Sequence, residues 1–180
     1  MKKLKNSELN RIDISTFKSI KKTPLIIILD NIRSLNNIGS IFRTSDAFLI
    51  EKIYLCGITA TPPNRKINKT AIGSTETVEW EYIDDINKLI DYLIIKDVKI
   101  WSIEQADKSQ KLRDIKLINN NKKHALVFGN EIDGVKQEVI NKSHGVIEIN
   151  QYGTKHSLNI SVAAGILIWN FHNHLNQIKD

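Results

Sequence analysis

The chain has 180 residues, enough for one domain with a real core, and its 41% hydrophobic and 26% charged content are ordinary for a soluble globular protein. Its single cysteine, Cys56, excludes an intrachain disulfide framework and a cysteine zinc site, and it fits a reducing cytoplasm. The net charge is +6, and residues 1–22 hold +5 of it, so the remainder of the chain is nearly balanced.

The opening Met1-Lys-Lys-Leu-Lys-Asn6 has no apolar stretch behind its lysines, so it does not read as a signal peptide. Residues 1–24 read as a basic arm and residues 25–180 as the body. Within the arm, Leu9, Ile12, Phe17 and Ile20 are roughly helically spaced, which predicts a short amphipathic helix docked on the body or on a partner copy. Such an arm is either a phosphate-binding element or a solvated terminal segment. Lys21-Lys-Thr-Pro24 breaks the pattern.

Apolar, β-branched runs then alternate with helical patterns. Strands are predicted at Leu25–Leu29, Lys52–Leu55, Thr77–Trp80, Lys99–Ile103, Ala125–Phe128 and Val146–Ile149. Helices are predicted at Ile38–Leu49, Asp84–Ile95, Val135–Asn141 and Leu158–Leu175. This alternation predicts an α/β fold around a mainly parallel sheet, with near-continuous apolar strands covered on both faces. Residues 57–76 read as a long loop, because Pro62-Pro63 opposes regular structure there. No run is long enough to span a bilayer, and no internal repeat or second domain is visible.

Three segments carry candidate chemistry. In Asn36-Asn-Ile-Gly-Ser-Ile-Phe-Arg-Thr44, a polar turn after the first strand enters a helix. Asn36 and Asn37 suit helix caps there. Arg43 is either a surface arginine or points into the cleft above the strand ends, where ligands of open α/β sheets bind. In Leu126-Val-Phe-Gly-Asn-Glu-Ile-Asp-Gly134, a glycine turn lets backbone approach a ligand, and Glu131 is either a site carboxylate or a solvated one. In Tyr152-Gly-Thr-Lys-His-Ser-Leu-Asn-Ile160, Ser157 and Asn159 stand where the last helix exposes its free N–H groups. Capping is the simpler reading of Ser157. The last helix is apolar nearly all round, which predicts burial or an interface. There is no Gly-x-Gly-x-x-Gly or Walker A pattern and no metal-ligand spacing among the five histidines.

Together, in order, these segments resemble the SpoU/TrmH family of RNA ribose 2′-O-methyltransferases of the SPOUT superfamily. Ser157-Leu-Asn-Ile-Ser-Val-Ala-Ala-Gly165 is the most specific of the three. The resemblance implies a deep C-terminal trefoil knot in the parallel sheet, a homodimer, S-adenosyl-L-methionine as cofactor and no metal. It implies an RNA partner, with tRNA placed ahead of rRNA. Carried over by position, the catalytic residues are Asn37, Arg43, Glu131, Ser157 and Asn159. The cofactor contacts are near Ile103, Gly129, Ile149 and Leu158.

A guanidinium is a poor proton acceptor, so Arg43 is expected to grip RNA phosphate and stabilise the developing alkoxide. Asn37, Ser157 and Asn159 would orient Arg43 and the ribose, and Glu131 would hold Arg43 in an ion pair. The rival readings are a non-catalytic RNA-binding protein on the same fold and a flavodoxin-like small-ligand enzyme.

Overall fold

The computed structural model describes residues 1–115 and 122–176. Its strands are β1 (Thr23–Asp30), β2 (Ile50–Cys56), β3 (Trp80–Ile83), β4 (Lys99–Ile103), β5 (Gln110–Lys111), β6 (His124–Phe128) and β7 (Gly145–Glu148). They form one seven-stranded sheet in the order β3-β2-β1-β6-β4-β7-β5. Every pairing is parallel. The helices are α1 (Ile14–Ser19), α2 (Leu35–Ala47), α3 (Arg65–Ala71), α4 (Ser74–Thr77), α5 (Ile86–Ile95), α6 (Gln137–Lys142) and α7 (Ile160–Asn176).

The centre of the sheet is buried on both faces, as the unbroken apolar runs of β1 and β6 require, while the edge strands β3 and β5 are exposed or half-buried. Leu25, Ile27 and Leu29 of β1 point into a core shared with α2, α3 and α7. Their neighbours Ile26 and Ile28 point the other way, into a core closed by α5 and α6. Pro24 has no N–H to give the ladder, and the β1–β2 register shifts between Thr23 and Ile26. Gly39 lets α2 and α3 pack closely: a Cβ there would lie 2.1 Å from Thr70 Oγ1 and 2.2 Å from the Ile67 carbonyl oxygen.

The structure revises several sequence expectations. Residues 57–76 are not one long loop, because α3 and most of α4 lie within them. Asn64 caps α3, accepting from the N–H groups of Lys66 at 2.9 Å and Ile67 at 3.4 Å. The strand expected at Thr77–Trp80 begins at Trp80, since Thr77 closes α4 by donating to the Ser74 carbonyl. The arm holds a helix of only six residues, capped by Asp13. Phe17 alone is buried among its apolar residues, while Leu9, Ile12 and Ile20 are exposed. No described helix is long and apolar enough to cross a membrane.

Candidate active site

Parallel strands bring their C-terminal ends, and the loops that follow them, to one edge of the sheet. The loops after β1, β4, β6 and β7 meet there, beside the switch point between β1 and β6: the chain leaves β1 for β2 on one side and leaves β6 for β7 on the other.

The loop after β6 is built on two glycines. It folds back so tightly that a Cβ on Gly129 would lie 2.1 Å from the Gly134 carbonyl oxygen. Gly134 has a φ of +68°, and a Cβ there would meet Glu104 Oε2 at 2.1 Å. Asn130 organises the turn between them. Its Oδ1 accepts from the N–H groups of Ile132 (2.9 Å) and Asp133 (3.2 Å), and its Nδ2 donates to the Asn31 carbonyl (2.8 Å). Glu104, just after β4, accepts from Val135 N–H at 3.1 Å and from Gln105 N–H at 2.8 Å. Gln105 Nε2 then donates to the His156 carbonyl at 2.6 Å, tying the β4 loop to the β7 loop.

At the start of α7, Asn159 does two jobs. Its Oδ1 accepts from Ser161 N–H at 2.8 Å and Ser161 Oγ at 2.6 Å, which caps the helix. Its Nδ2 donates to Asn37 Oδ1 at 3.2 Å, which joins α7 to α2. Ser157, the expected cap, is exposed at the rim instead. Likewise α2 is capped by Ser34, whose Oγ accepts from Asn37 N–H at 3.3 Å, and not by Asn36 or Asn37. That leaves the Asn37 side chain free to face Asn159.

The loops enclose a cleft of about 560 Å³. Asn37, Glu131, Ser157, Asn159, Ile103, Gly129, Ile149 and Leu158 all line it. Arg43 does not. It is exposed on α2, and six residues at 3.6 per turn place it about 120° round the helix from Asn37. The expected Glu131–Arg43 ion pair is also absent. Glu131 accepts instead from the backbone N–H groups of Arg33 and Ser34, each at 3.2 Å, just before the first turn of α2. Donors that precede a helix attract a carboxylate, and backbone N–H groups leave no mark in a sequence. Sequence reasoning missed Glu104, Gln105 and Asn130 as well. The Phe-Gly-Asn turn hinted at Asn130, but nothing local marked Glu104.

The charge of the cleft is one-sided. Glu104, Glu131, Asp133 and Glu148 line it, and among the described residues neither lysine nor arginine does. Glu148 is held below the usual carboxylate range by hydrogen bonds from Lys111 Nζ at 2.7 Å and Ser109 Oγ at 2.5 Å. Apolar Phe128, Ile132, Ile147 and Ala163 supply much of the rest. Such a site suits a cation with an apolar body and disfavours a phosphate-bearing cofactor. The residues therefore fit S-adenosylmethionine, whose sulfonium and ammonium are positive. The glycine-built β6 turn and the backbone at Ile103, Ile149 and Leu158 would hold it. Among the described residues, no group of three or more His, Cys, Asp or Glu side chains is placed to hold a metal ion.

Comparison with known proteins agrees. The chain is 32% identical over 163 residues to a tRNA/rRNA methyltransferase of Borreliella burgdorferi whose own activity is uncharacterized, covering 91% of this chain and 69% of that protein. It is 29% identical to the tRNA (guanosine(18)-2′-O)-methyltransferase of Aquifex aeolicus, covering 83% of this chain and 69% of the relative. Its fold superposes on an AdoMet-bound rRNA methyltransferase from Sinorhizobium meliloti with a TM-score of 0.76 at 26% identity, covering 88% of this chain and 60% of that one. The chain thus spans roughly two thirds of the length of the proteins it matches. Residues 24–169 match the profile of the SpoU rRNA Methylase family, and the chain belongs to that family.

Proposed function

We propose that the protein is an S-adenosylmethionine-dependent methyltransferase acting on a ribose 2′-hydroxyl of tRNA or rRNA. The observation that carries the reading is the acidic, phosphate-averse cleft into which Asn37, Ser157 and Asn159 converge. Bound S-adenosylmethionine supplies a methyl group on a positively charged sulfur. Held there, it would give its methyl carbon to the 2′-oxygen and leave as S-adenosylhomocysteine, with the hydroxyl proton released.

The side chains of this protein position that oxygen and manage its charge. Asn37 and Asn159 form one rigid unit at two helix starts and orient the ribose, with Ser157 beside them. Because no described arginine or lysine lines the cleft, a cation that grips phosphate and steadies the alkoxide would reach in from its rim. We assign that role to exposed Arg43, with a phosphate oxygen or a water taking the proton. Glu131 acts indirectly by fixing the turn before α2.

A homodimer belongs to the same proposal. Val162, Ile166 and Trp169, spaced four and three apart, form one stripe on α7 that Leu158, just before the helix, extends; the four are 37% to 57% exposed. Leu158 also lines the cleft, so a second copy seated on the stripe would overhang the site. The trefoil threading is likewise proposed, supported by the interleaved order β6-β4-β7-β5. We place the reaction in the cytoplasm, which suits the single free cysteine, and tRNA ahead of rRNA as substrate, on the likeness to the A. aeolicus relative.

Calorimetry with S-adenosylhomocysteine tests the cofactor assignment. Nucleoside mass spectrometry of RNA from a deletion strain and its parent tests the reaction. A folded protein that binds no S-adenosylhomocysteine at millimolar concentration would overturn the reading.

A further inference from the structure

The cleft repels phosphate, so an RNA backbone that delivers a ribose to it needs its electrostatic grip elsewhere. Sequence alone located nearly all of the net charge in the arm. The fold shows a second basic region. Residues 57–75 contain Arg65, Lys66 and Lys69 and no carboxylate, and residues 31–45 contain Arg33 and Arg43 and no carboxylate. All five of these side chains are exposed. None makes an ion pair with a described residue, whereas Glu79 and Glu81 at the β3 edge are matched by Lys52, and Asp91 of α5 by Lys142 of α6.

The packing of α3 joins this region to the site. Ile67 and Ala71 are buried, which turns Arg65, Lys66 and Lys69 outward. Thr70 Oγ1 donates to the Asn36 carbonyl at 3.0 Å, one residue before cleft-lining Asn37. Thr59 pins the preceding loop to the end of β1. It donates to the Leu29 carbonyl at 3.0 Å and accepts from Ile32 N–H at 2.9 Å. The cations of α3 therefore sit on a platform packed against the first turns of α2, whose Asn37 lines the cleft and whose exposed Arg43 lies further along the same helix.

We infer that Arg65, Lys66 and Lys69 form an RNA-backbone track that leads the substrate strand to the cleft. The inference rests on the RNA methyltransferase reading and adds a surface to it. Its chemistry is charge pairing with phosphodiesters, so it holds strand position and carries no base specificity.

The test compares the intact protein with the Arg65→Gln/Lys66→Gln/Lys69→Gln variant. A control variant, Lys88→Gln/Lys96→Gln, alters exposed lysines of and next to α5. Bulk tRNA from a strain lacking the gene is the probe, titrated between about 50 and 200 mM salt. Loss of three phosphate contacts should lower the salt slope of log affinity by about 2 to 3. The affinities of parent and variant should then converge about 20- to 40-fold across that range. The control should keep the parental slope, and S-adenosylhomocysteine affinity should be unchanged in both variants. Equal slopes in parent and α3 variant, or an equal loss in the control, would overturn the track. If the unaltered protein binds no RNA and transfers no methyl group, the RNA methyltransferase reading fails first.

Discussion

Asn159 Nδ2 donates to Asn37 Oδ1 at 3.2 Å, a contact that joins the first turns of α2 and α7 across 122 residues of chain. The same Asn159 caps α7 through its Oδ1. One side chain thus serves two functions, and substitutions can separate them. Asn159→Ala loses both and should cost about 1 kcal/mol in urea unfolding, the usual worth of an N-cap, along with most methyl transfer. Asn159→Asp keeps the capping oxygen and loses the donor. It should unfold close to the parent yet transfer methyl poorly. An aspartate variant with parental turnover would show that the Asn37 contact is structural only.

Arg43 tests the division between cleft and outer charge. It is exposed and stands outside the cleft lining, so Arg43→Ala should change stability by less than about 0.5 kcal/mol. Binding of S-adenosylhomocysteine should persist while methyl transfer is abolished, the pattern of a lost transition-state contact. Arg43→Lys should also fail, because an ammonium lacks the planar fork of the guanidinium. Single-turnover methyl transfer from labelled cofactor reads the result.

Gly129 tests the β6 turn. A Cβ there would meet backbone at Gly134 and Val135 within 2.3 Å, so Gly129→Ala must push the turn outward. Overpacking of this kind costs about 1 to 3 kcal/mol. S-adenosylhomocysteine affinity should fall at least tenfold in calorimetry. Gly153→Ala is the control, since nothing lies within 4 Å of a Cβ there.

Much of this was readable beforehand, for definite reasons. Strands β1 and β6 are continuous apolar runs because they are central and covered on both faces. Helix α3 escaped because only Ile67 and Ala71 of its seven residues turn inward, too few to show a period. Strand β5 is two residues long, one exposed and one half-buried. At the site, glycines and amides were legible because few residue types can replace them at tight turns and helix starts. Glu131 was found but paired wrongly, since its partners are backbone N–H groups. The basic face of α3 was invisible in a net count of charge and emerges only once the fold separates it from the acidic β3 edge.

The α7 stripe makes the dimer testable at one residue. Trp169 is the most exposed member, at 57%. Trp169→Glu places a charge where a second copy would bury an indole. Light scattering at micromolar concentration should report about 20.6 kDa for the variant and about twice that for the parent. Far-ultraviolet circular dichroism should be the same for both. A monomeric parent would remove the dimer from the proposal.

His124 gives the fold a pH dependence of known sign. It is 2% exposed, stacked near Trp101 and edge-on to Phe171. Trp101 Nε1–H donates to its Nδ1 at 3.0 Å, which holds the neutral ring with its proton on Nε2. Burial, then the charges of Lys99 and His144, push its pKa down from 6.5 to about 4. Protonation must break the Trp101 bond and bury a charge. Between pH 6.5 and about 4 the unfolded chain therefore binds more protons at this site than the native one. The stability that the depressed histidine contributes is fully present above pH 6.5 and is lost as pH falls through that window. His124→Gln removes the titration. The stability difference between parent and variant should shift by about 2 kcal/mol, against the parent, between pH 7.5 and pH 5. Urea unfolding at both pH values measures it, and a constant difference would mean that His124 titrates alike in the folded and unfolded chains.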